Sequence, residues 1–127
     1  VLEHLNSRQT FLKKIKKMLS KSGLVVMTVP NALGLHKRIG EKMGIIKNFY
    51  ELTKDDISKG HKTIYDADRL KSEFLNAGFK VEYIGGIMLK PLSSRQMEKF
   101  DPKLIDALYQ IGQELPSYCS SLIIVAK

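Results

Sequence analysis

The apolar positions fall into two kinds of run. Phe11, Leu12, Ile15, Met18 and Leu19 recur at helical spacing while Lys13, Lys14, Lys16, Lys17 and Lys21 take the positions between. This predicts a helix capped by Asn6 or Ser7 and stopped at Gly23. Leu24-Val25-Val26-Met27-Thr28-Val29 breaks that period. The run is continuous, largely β-branched and free of alternation, as expected of a strand covered on both faces inside a parallel sheet, and Pro30-Asn31 ends it. From Ala32 to Tyr50 the chain is basic and interrupted by Gly34, Gly40 and Gly44. A mobile excursion from the core is expected there, with a short helix over His36 to Met43.

Thr53-Lys54-Asp55-Asp56 spells a capping box for a short turn that stops at Gly60. Beyond the linker His61 to Tyr65, Asp66 caps a helix through Ala77, with Leu70, Phe74 and Ala77 inward and Gly78 as its break. A strand over Phe79 to Ile84 follows, interrupted at Gly85-Gly86 by a bulge or a close backbone approach. Asp101-Pro102 opens another helix, with Leu104, Ile105, Leu108 and Ile111 spaced for one face, and Pro116 closes that segment. Ser121 to Ala126 is the last strand. At the other end, Val1-Leu2-Glu3-His4-Leu5 reads as the end of a buried strand entering a loop, and with no initiator methionine further residues are expected upstream. The order is strand end, helix, strand, loop, helix, strand, helix, strand, without a repeat. That is the second half of an open α/β sheet, in one partial domain over residues 1–127.

Composition narrows the class. Of 127 residues 43% are hydrophobic and 27% charged, which suits a folded soluble domain and argues against disorder. The longest stretch free of charge and histidine, Ser22 to Leu35, falls short of the roughly 20 apolar residues of a membrane helix. A single Cys119 excludes a disulfide framework and a cysteine-rich zinc site, and a cytoplasmic location without a leader is expected. The net charge is +8, from 21 basic and 13 acidic residues, but 17 of the basic ones are Lys and only four Arg. Such a balance fits a solvated surface better than a nucleic-acid footprint. An RNA-associated domain using Lys37, Arg38, Lys42 and Lys47 is the alternative.

Several short elements in this order carry a resemblance. They are Val1-Leu2-Glu3-His4-Leu5, the turn from Leu19 to Gly23, Thr28-Val29-Pro30-Asn31, Leu52-Thr53 with Asp56, Gly60-His61, Tyr65 and Ala77-Gly78-Phe79. Together they resemble the C-terminal half of a class I S-adenosylmethionine-dependent methyltransferase of the small-molecule group. The resemblance implies an α/β chain running from the end of strand 4 through strand 7 of a Rossmann-like doubly wound sheet, the last strand antiparallel. It further implies methyl transfer from S-adenosylmethionine to a small acceptor in a longer parent. Ser20-Lys21-Ser22-Gly23 lacks that family's usual proline and first glycine. The family's glycine-rich loop and ribose-binding acid have no counterpart, and no G-x-G-x-x-G occurs. The chain alone is therefore expected to bind the cofactor poorly or not at all, and to pair with a missing N-terminal half or with itself.

The resemblance also implies roles. Leu2 and Glu3 stand where the family approaches the methionine part of the cofactor, and His4 beside them could act as general base, being neutral near pH 7. Glu3 and His4 serve equally as caps that orient the loop. His61 is expected in catalysis, and Tyr65 and Asn31 in acceptor binding; a loop pinned by a tyrosine hydroxyl and a histidine hydrogen bond, with Asn31 a turn residue, is the alternative. A non-catalytic structural remnant fits the same features. Glu3, His4 and His61 also resemble part of the Glu-x-x-Glu-His plus distant His pattern that holds a divalent metal in small-RNA 3′-terminal 2′-O-methyltransferases. The first glutamate of that pattern falls before Val1, and Thr63-Ile64-Tyr65 stands where those enzymes have Phe-Glu-Trp, so a metal is not expected. Cys119 reads as a small buried hydrophobe.

Overall fold

A computed structural model describes residues 1–127. A 3₁₀ turn at Leu2–His4 leads into α1 (Arg8–Met18), β1 (Val25–Pro30), α2 (Leu35–Lys42), α3 (Lys54–Ser58) and α4 (Ala67–Asn76). These are followed by β2 (Val81–Ile87), α5 (Ser94–Met97), α6 (Pro102–Glu114), a second 3₁₀ turn at Pro116–Tyr118 and β3 (Ser121–Ala126). The sheet has three strands in the order β1-β3-β2, and β3 runs antiparallel to both neighbours. No helix is long and apolar enough to cross a membrane.

The last strand is thus the middle one, and its sequence explains why. Leu122, Ile124 and Ala126 are buried while Ile123 and Val125 are half-buried, so β3 has cover on both faces. The expectation of two covered faces for Leu24 to Val29 is corrected: β1 alternates, with Val25 and Met27 half-buried, Val29 buried, and Val26 59% exposed. β1 is an edge strand hydrogen-bonded only through β3. A second correction falls at the start, where Val1 to Leu5 forms a turn instead of a strand end. Its role in packing survives, because Leu2 is wholly buried.

One core cluster joins Leu2, Leu12 of α1, Val29, Tyr65, Leu70 and Phe74 of α4, Phe79, and the buried side chains of β3. Fully burying each such aliphatic or aromatic side chain contributes about 1.5–3 kcal/mol before entropy is counted. α4 is capped by Asp66, whose carboxylate accepts from the Arg69 amide, and is broken after Ala77 by Gly78 at φ +87°. Met18, expected on the apolar face of α1, is 84% exposed because the helix ends there and the chain turns away at Leu19.

Two further expectations shift. β2 continues through Gly85-Gly86 to Ile87, and its register irregularity lies earlier, between Val81 and Tyr83. Of the two alternatives, close approach is the one seen, at Gly86, where a Cβ would meet the Pro116 carbonyl oxygen at 2.5 Å and Cys119 Sγ at 2.6 Å. α6 begins as its Asp-Pro signal predicts, yet Leu104 and Ile111 are 45% and 42% exposed. The helix turns its Gly112 side inward, where a Cβ would meet Cys119 Sγ at 2.9 Å. α5, opened by a Ser93–Gln96 capping box, has no counterpart among the elements expected from the sequence.

Candidate functional site

The site is assembled by a loop clamped onto a turn. Thr53 and Asp56 form the capping box of α3, and Gly60 at φ +75° reverses the chain after it. The returning strand of loop then docks on the first turn: the Glu3 carbonyl accepts from the backbone amides of Lys62 at 2.6 Å and Thr63 at 3.2 Å. Farther on, Tyr65 bridges in parallel to Asn31, directly after β1. The loop therefore runs beside the carboxyl end of β1, and His61 comes to rest against His4. Their rings meet edge to face with centroids 4.9 Å apart.

Each histidine is fixed by its Nδ1. That of His4 lies 3.1 Å from the Gly60 carbonyl oxygen, and that of His61 lies 3.0 Å from Asp56 Oδ1. A carbonyl and a carboxylate can only accept, so Nδ1 carries the proton in both rings. When the rings are neutral, both Nε2 atoms hold a free lone pair. The Asp56–His61 pair is largely shielded, its side chains being 14% and 12% exposed. Burial alone would raise the Asp56 pKa, but hydrogen bonds from the Thr53 hydroxyl and amide and from His61, with the Lys37 charge, hold it below the usual carboxylate range. Asp56 is thus an anion at neutral pH, suited to orient an imidazole and to stabilise its protonated form.

Glu3 closes the third side. Glu3 is a buried residue, and its carboxylate lies beside the His4 ring. Glu3 Oε1 lies 3.6 Å from His4 Nε2, and Glu3, His4 and His61 each offer an atom within 4.8 Å of the others'. Chemically this is a compact patch of base and ligand atoms at the end of a strand. It can accept a proton or hold a cation.

The other sequence candidates occupy firmer places. Leu2 lies wholly inside the core. Asn31 is buried, donating through Nδ2 to the carbonyls of Ser117 at 3.1 Å and Cys119 at 2.8 Å and accepting from the Leu33 amide at 3.0 Å, which ties the exit of β1 to the entry of β3. Tyr65 is 1% exposed and its hydroxyl donates to Glu73 Oε2 at 2.7 Å. Burial, then the Glu73 hydrogen bond and charge, drives its pKa above the ordinary tyrosine value. Glu73 in turn accepts from Arg8 Nε at 3.0 Å. Asp56 as the partner of His61 escaped the sequence reading, which used it as a cap. The available signal was a histidine one residue past the glycine that ends a capped turn, where the chain must fold back on the cap.

The α/β arrangement has a counterpart among solved structures. A solved S-adenosylmethionine-dependent methyltransferase from Mesorhizobium loti superposes with a TM-score of 0.58 over 99% of this chain, at 13% sequence identity. The match spans 57% of that protein's length. No family model matches the sequence, and no curated protein matches it.

Proposed function

We propose that this chain is the C-terminal part of a Rossmann-like, S-adenosylmethionine-dependent methyltransferase that methylates a small molecule, with His61 and His4 as its catalytic pair. Two observations support the fold-level reading: the likeness to the Mesorhizobium loti enzyme and the antiparallel last strand lying between β1 and β2. The observation that carries the site is the convergence of two Nδ1-anchored imidazoles beside the carboxyl end of β1. Ligands of open α/β sheets bind at that edge.

The cofactor supplies an already activated methyl group, so the protein's task is alignment and removal of one proton. His61 Nε2 takes the acceptor's proton while Asp56 holds the ring and compensates the charge. His4, beside it and open to solvent on one side, positions the acceptor or shares that proton. The residues in hand do not fit the cofactor itself: Leu2 is buried, Glu3 is faced by His4, and no glycine-rich turn follows a strand. On this reading its adenosine is held by residues of the longer parent protein.

In that longer protein, His61→Ala should lower kcat by about a hundredfold, within the usual range for loss of a general base, with cofactor affinity nearly unchanged. Asp56→Asn should retain part of the rate and displace its pH profile, and His4→Ala should alter both rate and cofactor affinity. Normal acceptor kinetics in a folded His61→Ala enzyme would contradict the assignment.

One observation favours a second reading. Glu3 Oε1 and His4 Nε2 face each other without a proton donor between them when His4 is neutral, which is the arrangement a divalent cation completes with His61. This reading brings the ribose 2′-hydroxyl of an RNA end back as the acceptor. A rise in the melting temperature with Mn²⁺ or Zn²⁺ that is lost in both His4→Ala and His61→Ala selects it over proton transfer alone.

A further inference from the structure

α2 carries a second, unrelated patch. Leu35, Ile39 and Met43 lie at i, i+4 and i+8 along one stripe, and Phe49 from the following loop and Tyr118 from the second 3₁₀ turn complete a groove of about 630 Å³. That volume is in the range of small-molecule sites. The helix sits close to its own loop here, because a Cβ on Gly40 would meet Ile46 Cδ1 at 3.0 Å. Into this apolar groove project Arg38 and Lys42. Arg38 is pre-organised: its Nε donates to the Leu33 carbonyl at 2.7 Å and its guanidinium stacks on the Tyr118 ring, 4.5 Å from the centroid. Its two terminal nitrogens have no protein partner, while the only acid of the groove, Glu41, is paired with Lys42 at 3.2 Å.

A rigid guanidinium fork with free donors, set on an aromatic ring and flanked by aliphatic side chains, matches one ligand chemistry. The fork pairs with a carboxylate in bidentate fashion, and the flanking surface takes a flat apolar body. We propose that this groove is a binding site for an aromatic carboxylate, its carboxylate on Arg38 and its ring between Phe49 and Tyr118 over the Leu35–Ile39–Met43 stripe. The inference goes beyond the methyltransferase reading and does not depend on it, since binding is observable without cofactor or turnover.

The probe is 2-naphthoate, titrated into the ¹⁵N-labelled chain and followed residue by residue by NMR. Saturable shifts confined to residues 35–43, Phe49 and Tyr118 are expected. The neutral analogue naphthalene-2-methanol, and naphthoate with the Arg38→Gln chain, should each bind about tenfold more weakly, the scale of one lost charge-assisted hydrogen bond. Because Arg38 also holds the Leu33 carbonyl, Arg38→Lys is measured beside it: it keeps the charge but not the fork, and should also lose affinity with an unchanged melt. Lys71→Gln, on the exposed side of α4, should bind as the parent does. Shifts scattered over the surface, equal affinity for acid and alcohol, or undiminished binding by both Arg38 variants would overturn the proposal.

Discussion

Replacing Tyr65 by phenylalanine should destabilise the chain by about 1.5 kcal/mol, the usual scale for a hydrogen bond to a charged group. The phenyl ring keeps its place among Val29, Leu70 and Phe74, so no cavity forms and the whole effect comes from the hydroxyl. That hydroxyl donates at 2.7 Å to Glu73, which also accepts from Arg8 of α1, while the Glu73 carbonyl accepts from Gln9 at 2.9 Å. The network fastens α1, α4 and the linker ahead of α4 at a single carboxylate. With an unfolding entropy of about 2.1 cal/mol/K per residue, a chain of 127 residues should lose about 6 °C in Tm. Urea unfolding followed by circular dichroism measures it. A cycle with Glu73→Gln isolates the pair, and a coupling energy of about 1 kcal/mol is expected. A Tyr65→Phe chain within about 0.3 kcal/mol of the parent, with no coupling to Glu73, would refute the reasoning.

Other consequences follow from the same geometry. Burial, and then the charges of Lys90 and Lys37, push the His36 pKa from the ordinary 6.5 down to about 4, and its Nδ1 is buried without a partner. Between those two values the unfolded chain binds the extra proton, so stability is full above pH 6.5 and declines as pH falls toward about 4. The ring is only half-buried, and after screening the loss should be about 1–2 kcal/mol; urea midpoints at pH 7 and pH 4.5 should converge for His36→Asn more than for the parent. The open edge of β1, with Val26 and Leu24 59% and 56% exposed, should drive self-association of the isolated chain. Sedimentation that finds only monomer at high concentration would contradict this.

What the sequence made legible is what local physics decides. Helix starts at Thr53, Asp66 and Asp101, and the breaks at Gly60 and Gly78, are written in side chains that satisfy or release the backbone within a few residues. Strand existence was legible too, but not which strand is central. Apolar, β-branched runs look alike whether a neighbour covers them or not. Leu24 to Val29 therefore reads as covered on both faces, although Val26 is 59% exposed and β3, with its weaker start at Ser121, holds the middle.

The site was half legible for the same reason. His4 and His61 could be singled out, yet their meeting depends on the Glu3 carbonyl capturing the amides of Lys62 and Thr63 from far along the chain, and nothing local encodes that contact. Likewise Tyr65 and Asn31 lie beside the carboxyl end of β1, but their polar atoms are turned toward Glu73 and toward the Ser117 and Cys119 carbonyls. Long-range partners of this kind leave no mark in a short window of sequence. The i, i+5 pair of Asp56 and His61 is the exception, since only a glycine-terminated turn lies between them.

On the proposed reading, these residues supply the catalytic edge of a methyltransferase whose cofactor is held elsewhere in a longer chain. Calorimetric titration of S-adenosylmethionine into the 127-residue chain, beside the same chain extended through its upstream residues, tests it most directly. No saturable heat is predicted for the first and about micromolar affinity for the second, corresponding to roughly 8 kcal/mol. Micromolar binding by the 127-residue chain alone, or none by the extended one, would contradict the account.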